Sequence, residues 1–132
     1  MQELKTSIPP STSTILIIDD DEMIRDLARD ILEMQGYTIM CAQDGMEGIT
    51  IYKENKGKIG CIILDLTMPL MNGRETYLRL REIDKQAKII LSTGLGKDEK
   101  AQEIIALGVQ GIVQKPYRME ELIRIVEKTL SM

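Results

Sequence analysis

The chain contains five short apolar runs, and each is followed by apolar residues at helical spacing. This alternation limits what the chain can fold into more than any other feature. Ile15-Leu-Ile-Ile18 stops abruptly at Asp19-Asp20-Asp21, and Cys61-Ile-Ile-Leu64 stops at Asp65. A β-branched run without polar alternation suits a strand covered on both faces. After the first run, Met23, Ile24, Leu27, Ala28, Ile31 and Leu32 recur at helical spacing, and Gly36 stands where a left-handed cap belongs. The pattern then repeats. A strand is expected over 38–41, and a weaker helix follows through Met46, Ile49 and Tyr52, burdened by Gly45 and Gly48. Beyond the strand at 61–64, a loop with Pro69 and Gly73 leads to a helix through Tyr77, Leu80 and Ile83. A strand over 88–92 precedes a helix of Ala101, Ile104, Ile105 and Leu107 closed by Gly108. The last strand, 111–114, precedes a helix through Met119, Leu122, Ile123, Val126 and Leu130. Five strands alternating with five helices predict an α/β domain: a parallel sheet with right-handed crossovers and helices on both faces.

The chain's 132 residues make one domain. Residues 1–13, which include the Pro/Ser/Thr-rich stretch 7–14, read as a flexible lead-in, and 14–132 as the folded unit. With 17 basic and 21 acidic residues, the net charge of -4 shows no basic surplus for nucleic acid. No apolar run reaches membrane-spanning length and the start lacks a secretory apolar core, so a cytoplasmic domain without membrane contact is expected. Cys41 and Cys61 fit no metal spacing or disulfide framework and read as buried free thiols. The nine methionines read as core packing, and Tyr77 and Tyr117 as core or partner-face residues. There is no histidine, which excludes Ser-His, Cys-His and His-metal chemistry within this chain. Trp and Phe are absent and the only aromatics are four tyrosines, which argues against an aromatic platform for single strands.

Ligands of open parallel sheets sit at the carboxyl ends of the strands. The residues expected there are Asp19, Asp20, Asp65, Thr93 and Lys115. One strand-end Asp is commonly a helix cap. Three on one rim repel one another unless a cation is bound, and a hard divalent ion such as Mg²⁺ answers that need. Lys115 adds a mobile positive charge, Thr93 a hydroxyl, and Gly94 leaves room for a group to enter. Such a set handles phosphoryl groups. Asp65 is the best-placed nucleophile, and Asp19 and Asp20 would hold the metal.

Residues 15–21, 61–73 (CIILDLTMPLMNG), 92–94 (STG) and 113–116 (VQKP) resemble, in order and spacing, the motifs of response-regulator receiver domains. The resemblance runs from Thr14 to Leu130. It implies a flavodoxin-like doubly wound sheet of order 2-1-3-4-5. It also implies phosphorylation of Asp65 by a histidine kinase, with Mg²⁺ bound by Asp20, Asp65 and the Thr67 backbone carbonyl and with Asp19 assisting through a water. Thr93 and Lys115 would contact the phosphoryl oxygens, and the Lys115-Pro116 bond would be cis. Such a domain is a phosphoacceptor rather than an enzyme with a separate substrate. Residues 73–84 and 114–122 are similar to receivers fused to the C-termini of hybrid sensor histidine kinases. The implied partners are a kinase core and a histidine phosphotransfer protein. One position departs from the pattern: Ile112 stands where many receivers carry Tyr or Phe. A phosphoryl mimic is therefore expected to shift the loops around Thr67 and Thr93 more than the Ile112 face.

Other phosphate and metal motifs fail on single residues. A haloacid-dehalogenase-type phosphatase needs Asp where Thr67 stands. A P-loop is broken by Leu91 and Asp98, and a dinucleotide fingerprint by Glu99. An EF-hand is broken by Ile24 and Asp30. A degenerate, non-phosphorylated receiver is the remaining rival, and the complete set of five site residues argues against it.

Overall fold

The computed structural model describes residues 13–66, 68, 72–94 and 99–132. Its elements are β1 (Thr14–Ile18), α1 (Glu22–Glu33), β2 (Thr38–Ala42), α2 (Gly45–Glu54), β3 (Ile59–Asp65), α3 (Gly73–Ile83), β4 (Ile89–Thr93), α4 (Glu99–Ala106), β5 (Gly111–Gln114) and α5 (Met119–Leu130). The sheet is all parallel, in the order β2-β1-β3-β4-β5, as expected. The expected lead-in lies outside the described residues, apart from Ser13.

Alternate residues of the central strands point to opposite faces. Leu16, Ile18, Ile62, Leu64, Ile89 and Leu91 pack beneath α2, α3 and α4, with Ile49, Tyr52, Tyr77, Leu80 and Ile104. Ile15, Ile17, Cys61, Ile63, Ile90 and Val113 pack beneath α1 and α5, with Ala28, Ile31, Leu32, Leu122 and Val126. Each fully buried aliphatic side chain contributes about 1.5–3 kcal/mol over leaving it in water, as an upper bound. Because both faces are covered, these strands show no polar alternation.

Local chemistry sets the helix ends. The Asp21 carboxylate accepts from the Met23 and Ile24 amides at 3.0 and 3.3 Å and starts α1. Gly36, at φ 96°, supplies the left-handed residue just beyond it. At the far edge of the sheet, α3 is stitched to the loops before β4 and β5. Arg81 stacks on the Tyr77 ring and donates to the Tyr77 hydroxyl, to Ala87 O, to Gly108 O at 3.1 Å and to Gln110 Oε1 at 2.9 Å. The Tyr77 hydroxyl in turn donates to Leu107 O.

The structure corrects the reading of the methionines in part: Met68 is buried in the core and Met40 packs against it, as expected. Met23, Met34, Met46, Met119 and Met132 are exposed, Met23 by 80%. The spacing misled because consecutive helical residues lie about 100° apart. The buried stripe of α1 runs through Ala28, Ile31 and Leu32, which leaves Met23 and Leu27 beside it. Met46 and Met119 fall in the first turns of their helices, and Leu107 follows the end of α4 in a turn; all three are exposed. Tyr77 and Tyr117 are buried. Cys61 is buried, whereas Cys41, on the edge strand β2, is only half-buried.

Burial pushes the Cys61 thiol up to about 12, with the Lys88 charge opposing in part. The folded chain thus keeps that proton above pH 9.0, the thiol's ordinary value, where the unfolded chain has released it. This contribution to stability is present below that pH and is lost as pH rises toward 12. In urea titrations between about pH 9.5 and 11, Cys61→Val should lose about 1.4 kcal/mol less per pH unit than wild type. Parallel curves would show that this thiol ionises unhindered in the folded state.

Candidate functional site

The order in which strands are added reverses between β1 and β3, because β2 lies on one side of β1 and β3 on the other. The crevice at the carboxyl ends of these two strands is where a doubly wound sheet binds its ligand. Asp19 and Asp20 follow β1 there, and Asp65 ends β3. One carboxylate oxygen from each of the three lies within 4.8 Å of the others. Asp19 is 1% exposed and Asp65 3%, whereas Asp20 faces solvent. The helix cap is Asp21, which leaves the first two residues of the acidic run for the site.

Lys115, just past β5, closes the cluster. Its Nζ lies 2.7 Å from Asp19 Oδ2 and 3.2 Å from Asp65 Oδ1, with the lysine side chain 18% exposed. Burial alone would lower the pKa of this ammonium. The hydrogen bond to Asp19 and the charges of Asp65 and Asp19 outweigh burial and raise it. The Lys115 amide donates to Thr93 O at 2.7 Å, and the Lys115-Pro116 bond is cis, as expected. Thr93 ends β4, one residue beyond the Asp65–Ser92 register pair, and is buried. A Cβ on Gly94 would meet nothing within 4 Å, in keeping with an open approach. Thr67 lies outside the described residues. Ile112, on β5, is 41% exposed.

Three further supports escaped sequence reasoning. Tyr117 packs under the site with its hydroxyl 2.8 Å from Ser92 Oγ, and burial pushes it up to about 12. Arg25 donates from Nη1 to Asp19 O at 2.7 Å. Gly73, expected in a loop, is the first residue of α3 and donates its amide to Leu66 O at 3.0 Å. A Cβ there would lie 2.5 Å from Leu66 Cα, 2.6 Å from Leu66 O and 2.7 Å from Asp65 O. All three atoms are backbone and cannot swing away. Gly73→Ala should therefore lower stability by about 1–3 kcal/mol and displace the Asp65 main chain. Denaturant unfolding together with the amide chemical shift of Asp65 would read both effects; an unchanged variant would show that α3 can back off without cost.

Three carboxylates and one ammonium carry a net charge of -2, from oxygen donors alone, with one donor open to water. A divalent hard cation that keeps part of its hydration shell fits that set, as Mg²⁺ does. The fold and this rim define a doubly wound α/β domain with an acidic site at its switch point. The chain belongs to the response regulator receiver domain family, which it matches over residues 15–127. It is 30% identical over 117 residues to the chemotaxis protein CheY of Halobacterium salinarum, a match covering 89% of this chain and 96% of that protein. It is 28% identical over 120 residues to the sensor kinase CckA of Brucella abortus, covering 91% of this chain and 13% of that one. The crystal structure of a response regulator receiver domain protein from Clostridium thermocellum superposes with a TM-score of 0.85. That pair is 26% identical and the match covers 90% and 94% of the two chains. Among the described residues, no helix is long and apolar enough to cross a membrane.

Proposed function

We propose that this chain is a phosphoacceptor in a two-component phosphorelay, with Asp65 as the residue that takes the phosphoryl group. The observation that carries this reading is the Lys115 ammonium set between Asp19 and Asp65, with the Asp20 oxygen in the same cluster. An Asp65 carboxylate oxygen attacks the phosphorus of a phosphohistidine. The N–P bond breaks, and its electron pair returns to the imidazole, which takes up a proton. Asp65 becomes an acyl phosphate. The Thr93 hydroxyl and the Lys115 ammonium then face a group carrying about -1.5 to -2 charges and hold its oxygens. Asp20, Asp65 and the Thr67 carbonyl would hold Mg²⁺, with Asp19 reaching it through a water. Once bound, the ion neutralises charge developing on the phosphoryl oxygens. Apart from taking and losing this group, the domain catalyses nothing.

The donor is a histidine kinase core, and a histidine phosphotransfer protein is the onward acceptor. Residues 73–84 and 114–122, together with the likeness to a sensor kinase, support a place as the C-terminal receiver of a cytoplasmic hybrid kinase segment. A match across nearly all of CheY favours the alternative, a stand-alone regulator. Reading the gene upstream of Met1 decides between them: a kinase core supports the first, a ribosome-binding site the second.

Acetyl phosphate with Mg²⁺ should add one phosphoryl per chain, and hydroxylamine should release it, as it does acyl phosphates. A chain that stays unlabelled with acetyl phosphate, phosphoramidate and a phosphorylated kinase core alike is not a phosphoacceptor.

A further inference from the structure

At the end of β1, Asp19 is held at every polar group. Its amide donates to Ala42 O at 3.1 Å, the last bond of the β1–β2 ladder. Its Oδ1 accepts from the Asp21 amide at 2.9 Å, and its Oδ2 meets Lys115. The backbone carbonyl remains. Because β2 ends at Ala42 and the chain turns away toward α2, no backbone amide among the described residues donates to this oxygen. A buried carbonyl needs a partner. Arg25 supplies it from α1, six residues on, at 2.7 Å.

That bond bears on the neighbouring residue. Asp19 C=O and Asp20 N–H share one rigid peptide plane, so fixing the oxygen fixes the direction in which Asp20 leaves the strand. Asp20 is the exposed member of the acidic cluster, and among the described residues no hydrogen bond or ion pair holds its carboxylate. Among the described residues, only its own backbone constrains where it points.

We propose that Arg25 is a positioning residue for the cation site, acting through the Asp19–Asp20 peptide to aim the Asp20 carboxylate. The proposal rests on the reading of Asp19, Asp20 and Asp65 as the Mg²⁺ site.

Charge and geometry act in opposite directions here, which makes the proposal decidable. Arg25 is itself a cation close to a cation site, so its charge opposes Mg²⁺ binding. If charge were its whole influence, Arg25→Gln would bind Mg²⁺ more tightly and Arg25→Lys would bind it as wild type does. If positioning dominates, losing the guanidinium weakens binding despite the electrostatic relief. Removal of a group that orients a metal ligand typically costs 10–100-fold in affinity. Allowing for the relief, Arg25→Gln should bind about tenfold more weakly. Arg25→Lys, which keeps a donor but not the planar fork, should fall between Gln and wild type.

The test titrates MgCl₂ into isotopically labelled protein, following amide shifts near Asp20, with far-UV circular dichroism confirming the fold. Wild type must respond, and Asp20→Asn must lose the response. If either condition fails, the metal-site reading is wrong and this proposal falls with it. If both hold, weaker binding in the Arg25 variants supports the positioning role. Unchanged or tighter binding in Arg25→Gln overturns it and leaves the site reading intact. Should the Gln variant prove unfolded, Arg25→Lys decides: weakened binding supports the proposal, and wild-type affinity overturns it.

Discussion

Asp65→Asn is expected to take up no phosphoryl group from acetyl phosphate and Mg²⁺ under conditions that label wild type to about one group per chain. The substitution keeps the size and shape of the side chain, so the packing around the end of β3 has no reason to change. It removes the nucleophilic oxygen, since an amide oxygen carries no formal charge and its attack yields no stable acyl phosphate. The same change removes one of three clustered carboxylates, which relieves repulsion on the rim. Folding should therefore be unimpaired, with a thermal midpoint in metal-free buffer equal to or above that of wild type. The pairing of lost chemistry with intact stability is the diagnostic result. Hydroxylamine-labile label in the variant would assign the acceptor to another residue. A sharply lowered midpoint would make Asp65 structural.

Lys115→Met carries the second large effect. It keeps the length and apolar stem of the side chain and deletes the charge lying 2.7 and 3.2 Å from two nearly buried carboxylates. Breaking a buried ion pair by removing one partner costs about 3–5 kcal/mol. Because the rim opens to water at Asp20, about 2–3 kcal/mol is the appropriate expectation in metal-free buffer. Mg²⁺ should then recover more stability in the variant than it adds to wild type. The acidic cluster without its lysine attracts the cation more strongly, and saturation at about 100 times the dissociation constant is worth about 2.7 kcal/mol. Chemical denaturation with and without Mg²⁺ measures both terms. Equal metal responses in the two proteins would place the cation elsewhere.

The raised pKa of Lys115 gives the same interaction a pH signature. The hydrogen bond to Asp19 and the nearby carboxylate charges overcome burial and hold the ammonium protonated beyond its ordinary range. This stabilisation is complete below pH 10.5, the ordinary value, and disappears as pH climbs through the raised one.

The parts of the molecule that could be read from sequence share a cause. β1, β3 and β4 are covered on both faces, so burial is written into runs of apolar residues, and the residue that ends each run is a site residue. Strand ends were less visible. β3 begins at Ile59 rather than Cys61, and β2 runs on to Ala42, because hydrogen bonding to a neighbour continues past the most apolar stretch. Exposed methionines were misplaced because a single helical period cannot tell the centre of a stripe from its flank. Gly73 and Arg25 were invisible as contributors to the site for a different reason. Each acts on main-chain atoms, and neither the approach of α3 to Leu66 nor the Asp19 carbonyl that Arg25 meets takes its place until the sheet is assembled.

The Arg81 stitching has a mechanical consequence for any signal leaving the site. Leu107 O and Gly108 O, just past the last turn of α4, are tied to Tyr77 and Arg81 of α3. Midway along α4, Glu103 Oε2 adds an ion pair to Arg74 Nε of α3 at 3.3 Å. A rod fastened at its far end and near its middle resists sliding along its own axis. Small displacements at Thr93 are then expected to reach α4 as a change of angle about those ties. The signal α4 can carry outward is then a tilt.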